Sequence, residues 1–168
     1  MMHLRKWLIK LTCFILFALP VILVVDWLRF PELPADSAYA ELTLLDGSVT
    51  TLSALSERQP LVIYYWAGWC PVCKLTTPLV ADMAARGNNV LAVALRSGND
   101  QQVSRLMSGY RLQASGINDA DGKLANRWQI TVTPTFLIVY KGKVASATSG
   151  WTSRWGLQFR LWLAEFTF

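Results

Sequence analysis

Two cysteines, Cys70 and Cys73, stand three positions apart in the segment W-A-G-W-C-P-V-C-K, residues 66–74. On a helix, that spacing puts both sulfurs within one turn. Such a pair supports three kinds of chemistry: thiol–disulfide exchange, a small structural disulfide, or coordination of a soft ion such as Cu(I) by two thiolates. A structural zinc site needs two further donors. The only other cysteine is Cys13 and the only histidine is His3, and both fall in an N-terminal region of different character. Exchange is the leading reading, because so small a loop staples little chain. Metal handling remains an alternative. So does an inert disulfide, which would leave a docking domain in place of an enzyme.

The chemistry depends on what holds the pair. Leu61–Trp66, L-V-I-Y-Y-W, is β-branched, aromatic and almost continuously apolar, which predicts a strand buried on both faces. A helix is expected from Pro71 to the Gly87-Asn88-Asn89 stop. Its apolar side would carry Val72, Leu75, Leu79, Val80 and Met83, with Lys74, Asp82 and Arg86 towards the other side, and Pro78 should bend it. Cys70 then falls at a helix N-terminus, where unpaired N–H groups and partial positive charge favour a thiolate. Pro71 occupies an early position where its missing N–H loses nothing. The expected division of labour is an exposed nucleophile at Cys70 and a shielded, resolving thiol at Cys73, the two joined as a disulfide when oxidised.

The remaining elements follow from period and punctuation. Strands are predicted over 42–45, 90–95, from Ile117, over 135–140 and over 143–148, with Lys141-Gly142 turning the last hairpin. Helical segments are predicted over 52–57, 99–110, 123–128 and 152–166. The alternation describes an α/β domain with a central mixed sheet flanked by helices. On the last helix Trp155, Phe159, Trp162, Leu163 and Phe166 form an apolar stripe. Helical spacing assigns most of the tryptophans Trp128, Trp151, Trp155 and Trp162 to the core.

The chain has 168 residues, and one segment accounts for much of its hydrophobic fraction of 53%. Trp7–Val25 is a 19-residue run whose single charge is Lys10. As a helix it would reach roughly 28 Å, close to the thickness of a bilayer core. Arg5 and Lys6 precede it and Asp26 follows it, so the positive-inside rule places the N-terminus in the cytoplasm. The expected organisation is a cytoplasmic N-terminus over 1–6, a transmembrane anchor over 7–25, a linker over 26–40 and a domain over 41–168. Cys13 reads as apolar filler within the anchor. Ala38-Tyr39-Ala40 resembles a signal-peptide cleavage site, but it lies far beyond the apolar run. From residue 26 onward 13 Lys and Arg face 11 Asp and Glu, and so balanced a domain gives no footprint for nucleic acid.

Two segments carry a family resemblance. W-A-G-W-C-P-V-C-K resembles the active-site segment of the thioredoxin superfamily, and V-T-P-T-F-L-I-V-Y-K-G-K-V, residues 132–144, resembles its second signature. L-L-D-G at 44–47 and D-A-D-G-K-L-A-N-R-W-Q-I at 119–130 are similar to the membrane-tethered TlpA-like branch, including its suppressor-for-copper-sensitivity thioredoxins. The resemblance implies a thioredoxin-like fold and a thiol-disulfide oxidoreductase. It implies a cis bond at Pro134 facing the cysteines, and a Thr133 backbone that binds extended substrate. Trp69, Pro71 and Val72 would complete the substrate rim. No cofactor or metal is implied, and the chain has no Gly-rich phosphate loop. The implied partners are protein thiols and disulfides and a membrane thiol electron donor. The implied place is the bacterial inner membrane, single-pass, with the domain in the periplasm. A link to copper tolerance would run through thiol repair.

The chain also departs from the pattern. Tyr64 stands where thioredoxin has a buried aspartate, and it reads as a packed sheet residue. Pro71-Val72 replaces the Gly-Pro between the cysteines, so thioredoxin's reducing power does not carry over. Gln129-Ile130-Thr131-Val132 replaces the Gly-Val-x-Gly that maturation-type relatives place before the cis-proline.

Overall fold

The alternation along the central strand sets the architecture. β3 (Leu61–Trp66) is buried at every position. Val62, Tyr64 and Trp66 enter one apolar cluster, while Leu61, Ile63 and Tyr65 enter a second. Successive side chains of a strand point to opposite faces, so both faces must be covered. The structure is a computed structural model that describes Trp7 and residues 33–167. Ahead of β3 come β1 (Leu42–Thr43), β2 (Val49–Thr50) and α1 (Leu52–Ser56). After it come α2 (Pro71–Ala85), β4 (Asn89–Leu95), α3 (Asp100–Gly109), β5 (Ser115–Asp119) and α4 (Lys123–Arg127). The chain ends with β6 (Thr135–Tyr140), β7 (Lys143–Ser149) and α5 (Arg154–Thr167).

The five-stranded sheet has the order β5-β4-β3-β6-β7. β4 runs parallel to β3 and to β5, and β6 runs antiparallel to β3 and β7. The parallel half needs helical crossovers and the antiparallel half closes through a short turn. Residues of α2, α3 and α5 pack in the first cluster. Those of α1, α4 and the strand Leu42–Thr43 pack in the second. This is the thioredoxin-like α/β fold with a central mixed sheet flanked by helices. Three helix starts carry their own signals: Thr51 caps α1 through its side chain, Asn99 and Gln102 form a reciprocal capping box on α3, and Pro71 opens α2.

Three expectations change. The predicted strand 42–45 is only two residues long and pairs with a second short strand, β2, across the Asp46-Gly47 turn. The buried face of α2 holds Cys73, Thr76, Thr77, Val80, Ala81 and Met83. Val72 and Leu75, expected on the apolar side, are exposed. The rotation follows from the strand ahead of the helix, since Tyr64 presents a hydroxyl that the two threonines satisfy. The third change concerns α5. Trp155, Phe159, Trp162, Leu163 and Phe166 lie in solvent, as does Trp151, and the helix meets the core through Leu157, Leu161 and Ala164. Small and aliphatic side chains let α5 approach the sheet closely, and the large rings are left outside. Trp66 and Trp128 are buried as expected.

Before β1 the chain is already part of the domain. A 3-10 turn covers Ala35–Ala38, with Ser37 buried, and Leu33 packs against the second cluster. A Cβ on Gly142, at φ +75°, would meet Ala38 at 3.2 Å, so the β6–β7 turn requires glycine both for its backbone and for this approach. Among the described residues no helix is long and apolar enough to cross a membrane. The predicted anchor, apart from Trp7, lies outside them.

One buried carboxylate organises the far edge of the sheet. Asp119, at the end of β5, accepts from Leu124 N at 3.0 Å and Ala125 N at 2.7 Å. Gly122, the left-handed residue before α4, makes no side-chain cap of its own, so Asp119 supplies it. Asp119→Ala leaves these donors unpaired and should cost about 1–3 kcal/mol. Urea unfolding of the full chain reads this as a lower midpoint with an unchanged slope.

Candidate active site

The cysteine pair sits where β3 gives way to α2. After Trp66 the chain makes a short bridge, Ala67–Trp69, and Cys70 N donates to Ala67 O at 3.1 Å. Cys70 is the N-cap of α2, with extended backbone angles (φ −82°, ψ 116°), and its sulfur accepts from Cys73 N at 3.1 Å. N-cap side chains are normally oxygen acceptors. A thiolate fills the same role and gains from the partial positive charge of the helix terminus. On its other side the Cys70 thiol faces Thr133 O at 3.5 Å.

Thr133–Pro134 is a cis peptide, held from behind by its own neighbours. Gly150 N donates to Pro134 O at 2.8 Å. Thr135 Oγ1 donates to Val132 O at 2.8 Å and lies 3.1 Å from Ser149 Oγ. The loop before β6 is thereby fastened to the end of β7 and set beside Cys70. Cys70 and Thr133 are 63 positions apart in sequence, and the β3–β6 pairing brings them together.

The expected exposed nucleophile is nearly covered. Cys70 is 3% exposed and Cys73 is 1% exposed, and both are free thiols. The Thr133–Pro134 loop, which the family resemblance sets facing the cysteines, lies against the Cys70 thiol. The electrostatic contrast between the two is larger than the contrast in exposure. Burial raises the Cys70 pKa, but hydrogen bonds from Cys73 and Thr133 and from the amides of Cys73 and Val72 outweigh it and hold the thiol below its ordinary value. Cys73 has the opposite balance: burial, the hydrogen bond to Cys70 and repulsion from a Cys70 thiolate push it up to about 12. Among the described residues no charged side chain hydrogen-bonds to either sulfur.

Beneath Cys73 lies a hydroxyl cluster. Tyr64 Oη is 2.9 Å from Thr76 Oγ1 and 2.9 Å from Thr77 Oγ1. Thr77 Oγ1 also donates to Cys73 O at 2.7 Å. Burial raises the Tyr64 pKa well beyond its ordinary value, so this phenol keeps its proton and is no base at neutral pH. Its bonds run to the backbone and hydroxyls of the first helical turns, which it braces.

The rim is apolar and open. Trp69 is 60% exposed, yet its orientation is fixed, since Nε1 donates to Arg96 O at 3.1 Å. Gly68 N donates to Ser97 Oγ at 2.9 Å, and a Cβ on Gly68 would come within 2.8 Å of Leu106. The loop after β4 therefore supports the bridge that leads to Cys70. Pro71 and Val72 are also exposed beside the pair, as is Val132 on the opposing loop. Thus Trp69, Pro71, Val72, Thr133 and Pro134 all lie around Cys70 or on the loop beside it. Sequence reasoning did not find Arg96, Ser97, Thr76 and Thr77. The first two leave no local signal. The threonines at i+3 and i+4 from Cys73 could have been found by asking what satisfies Tyr64. No group of three or more His, Cys, Asp or Glu among the described residues is placed to hold a metal.

The AhpC/TSA family matches residues 35–147 of this sequence. The chain belongs to that family. A thioredoxin-like protein of Haemophilus influenzae is 39% identical over 143 residues, covering 85% of this chain and 86% of that protein. The thiol-disulfide oxidoreductase ResA of Oceanobacillus iheyensis is 28% identical over 111 residues, covering 63% of this chain and 57% of the relative. Among solved structures, a thio-disulfide isomerase from Thermus thermophilus superposes with a TM-score of 0.65 at 26% identity, covering 81% of this chain and 96% of that one. With the site's geometry, these relatives make the chain a thioredoxin-fold thiol-disulfide oxidoreductase with a redox-active cysteine pair.

Two measurements check the site. The alkylation rate of Cys70 against pH should show its inflection below that of an ordinary cysteine thiol and fall as the pH drops through it, where the thiolate is lost. Cys73 should react only under strongly alkaline conditions, near its pKa of about 12. Tyr64→Phe should lower stability by about 0.5–1.5 kcal/mol and leave disulfide exchange intact, because Thr77 keeps its bond to Cys73 O. A large loss of exchange with an unchanged fold would make the phenol part of the chemistry.

Proposed function

We propose that the protein is a membrane-anchored, extracytoplasmic oxidoreductase in which Cys70 is the nucleophile and Cys73 the resolving thiol. The observation that carries this assignment is the asymmetry of the pair: the Cys70 sulfur caps α2, while Cys73 is buried behind it with a raised pKa. The Cys70 thiolate attacks one sulfur of a substrate disulfide, forms a mixed disulfide and releases the other sulfur as a thiolate. Cys73 then attacks the Cys70 sulfur. The Cys70–Cys73 disulfide forms, the substrate leaves with two electrons, and the Cys73 proton ends on the departing thiolate. The attack removes the cost of ionising Cys73 alone, since the departing sulfur collects the proton as the new bond forms.

An extended substrate segment lies along the Thr133–Pro134 loop, with Trp69, Pro71, Val72 and Val132 as its apolar rim. The sequence supports the topology: basic residues before the run Trp7–Val25, and Asp26 after it. In this reading the N-terminus is cytoplasmic, the run spans the inner membrane, and the domain works in the periplasm. Net reduction there requires an electron source, and a membrane thiol transporter is its chemical class. Copper tolerance follows indirectly, by repair of thiols that copper has oxidised or miswired.

The full chain carrying Cys73→Ala should accumulate mixed disulfides with disulfide-bearing proteins, and Cys70→Ala should accumulate none. The reverse pattern would exchange the two roles. A reporter at the C-terminus should be active outside the cytoplasm and should resist carbonate extraction. A soluble, shortened product would replace the anchor with a cleaved signal.

A further inference from the structure

The last helix has two apolar faces, and the core uses one. Leu157, Leu161 and Ala164 of α5 are buried against the sheet. Trp155, Phe159, Trp162 and Phe166 are 81%, 60%, 51% and 72% exposed. At 3.6 residues per turn these four rings fall within an arc of roughly 60°, nearly opposite the core face. Three of them touch in sequence: the ring centroids of Phe159 and Trp162 stack at 5.8 Å, and those of Trp162 and Phe166 lie 4.6 Å apart, while Trp155 stands one turn before Phe159 on the same face. Arg154, Gln158 and Glu165 flank the row on one side, and the exposed Leu163 followed by Arg160 flank it on the other. Arg154 is paired with Asp82, and Arg160 reaches Ala147 O.

We infer that this aromatic row docks on the lipid bilayer, seating α5 in the interface beneath the headgroups on the side where the domain works. The inference rests on the anchored topology proposed above and adds an orientation to it. Three observations select lipid over a protein partner. Tryptophan and phenylalanine on one face of an amphipathic helix are the side chains that settle where headgroups meet acyl chains. The chain between the apolar run and Leu33, the first described residue packed on the domain, is residues 26–32. Seven residues span at most about 25 Å, less than twice the ~14 Å radius of gyration expected of a domain this size, so the domain cannot leave the membrane's neighbourhood. The row also exposes on the order of 500 Å², the size of a monomer's largest and often functional patch, and less than the roughly 800 Å² per partner of a stable protein interface.

The tether enters at a suitable place. Ala38 lies against the β6–β7 turn, and that turn sits where β3 begins, since Leu61 pairs with Val139. Trp162 lines a cleft at the same end of the sheet, with Pro60 and Asn89. Cys70 follows the other end of β3. Anchorage by the tether and by α5 would then hold the Cys70 face in a fixed attitude to the bilayer, as exchange with a membrane thiol partner requires.

Tryptophan fluorescence tests this with the full chain reconstituted in phosphatidylethanolamine–phosphatidylglycerol vesicles, using acyl chains brominated near the headgroup. Bromine should quench an emission component that is absent from a Trp155→Phe/Trp162→Phe variant. Phe159→Glu should lose the same component while keeping its circular dichroism, its carbonate resistance and its exchange with a small disulfide. Equal quenching of the parent and the double variant would overturn the inference, because Trp155 and Trp162 would then lie outside lipid. A detergent-solubilised dimer that Phe159→Glu dissociates, with no such quenching difference, would give the row to a second copy and overturn it as well. Release by carbonate would count against the anchor alone, and the quenching difference would still decide the row.

Discussion

A sulfur in the N-cap position of a helix is the constraint around which this domain is arranged. Cys70 takes the place of an oxygen cap on α2 and accepts from Cys73 N. That bond depends on charge. A thiolate accepts it strongly, and a disulfide sulfur accepts it weakly. The redox state of the pair is thus coupled to how well the most buried helix of the site is capped. Favouring a thiolate in this way favours the reduced form, and among the described residues no basic side chain is bonded to the sulfur.

The surrounding structure serves that position from three directions. β3 ends just before the bridge, so α2 starts at a fixed point over the sheet. The Tyr64–Thr76–Thr77 cluster braces the turns that carry Cys73, and its three hydroxyls satisfy one another and the helix carbonyls. A fully paired polar cluster is tolerable in a core, whereas a partly paired one is expensive. The Thr133–Pro134 loop closes the third side. Its bonds to Gly150 and Ser149 fix it to the sheet, so the approach to Cys70 is governed by rigid strands. On the rim, Trp69 is tied down by the loop after β4.

The same domain exposes its largest rings. Helical spacing put the α5 aromatics in one stripe, and the stripe exists, but it lies on the side away from the core. Periodicity identifies a face and cannot say what meets it. Leu157, Leu161 and Ala164 follow the same period on the other side, and close approach of helix to sheet favours the smaller set. The rotated face of α2, which keeps Val80 and Met83 and loses Val72 and Leu75, has a related cause. Threonine reads as polar in a linear scan, yet Thr76 and Thr77 are buried because a tyrosine hydroxyl waits beneath them.

Much of this protein was legible in its sequence. The strand Leu61–Trp66, the helix opened by Pro71, the final hairpin and the alternating order all followed from local rules, since β-branched runs, a proline at a helix start and a Lys-Gly turn act over a few residues. The cysteine spacing narrowed the chemistry to three kinds, and the resemblance of the flanking segments to the thioredoxin superfamily pointed to exchange. The tertiary structure alone decided what depends on distant chain. It buried the Cys70 thiol expected to be exposed, beside the Thr133–Pro134 loop that the family resemblance had already set facing the pair. It brought Arg96 and Ser97 beneath the active-site bridge, and it chose which face of α2 and of α5 meets the core. Those outcomes come from pairing between β3 and β6 and from packing across the sheet, where the partner of a residue lies tens of positions away.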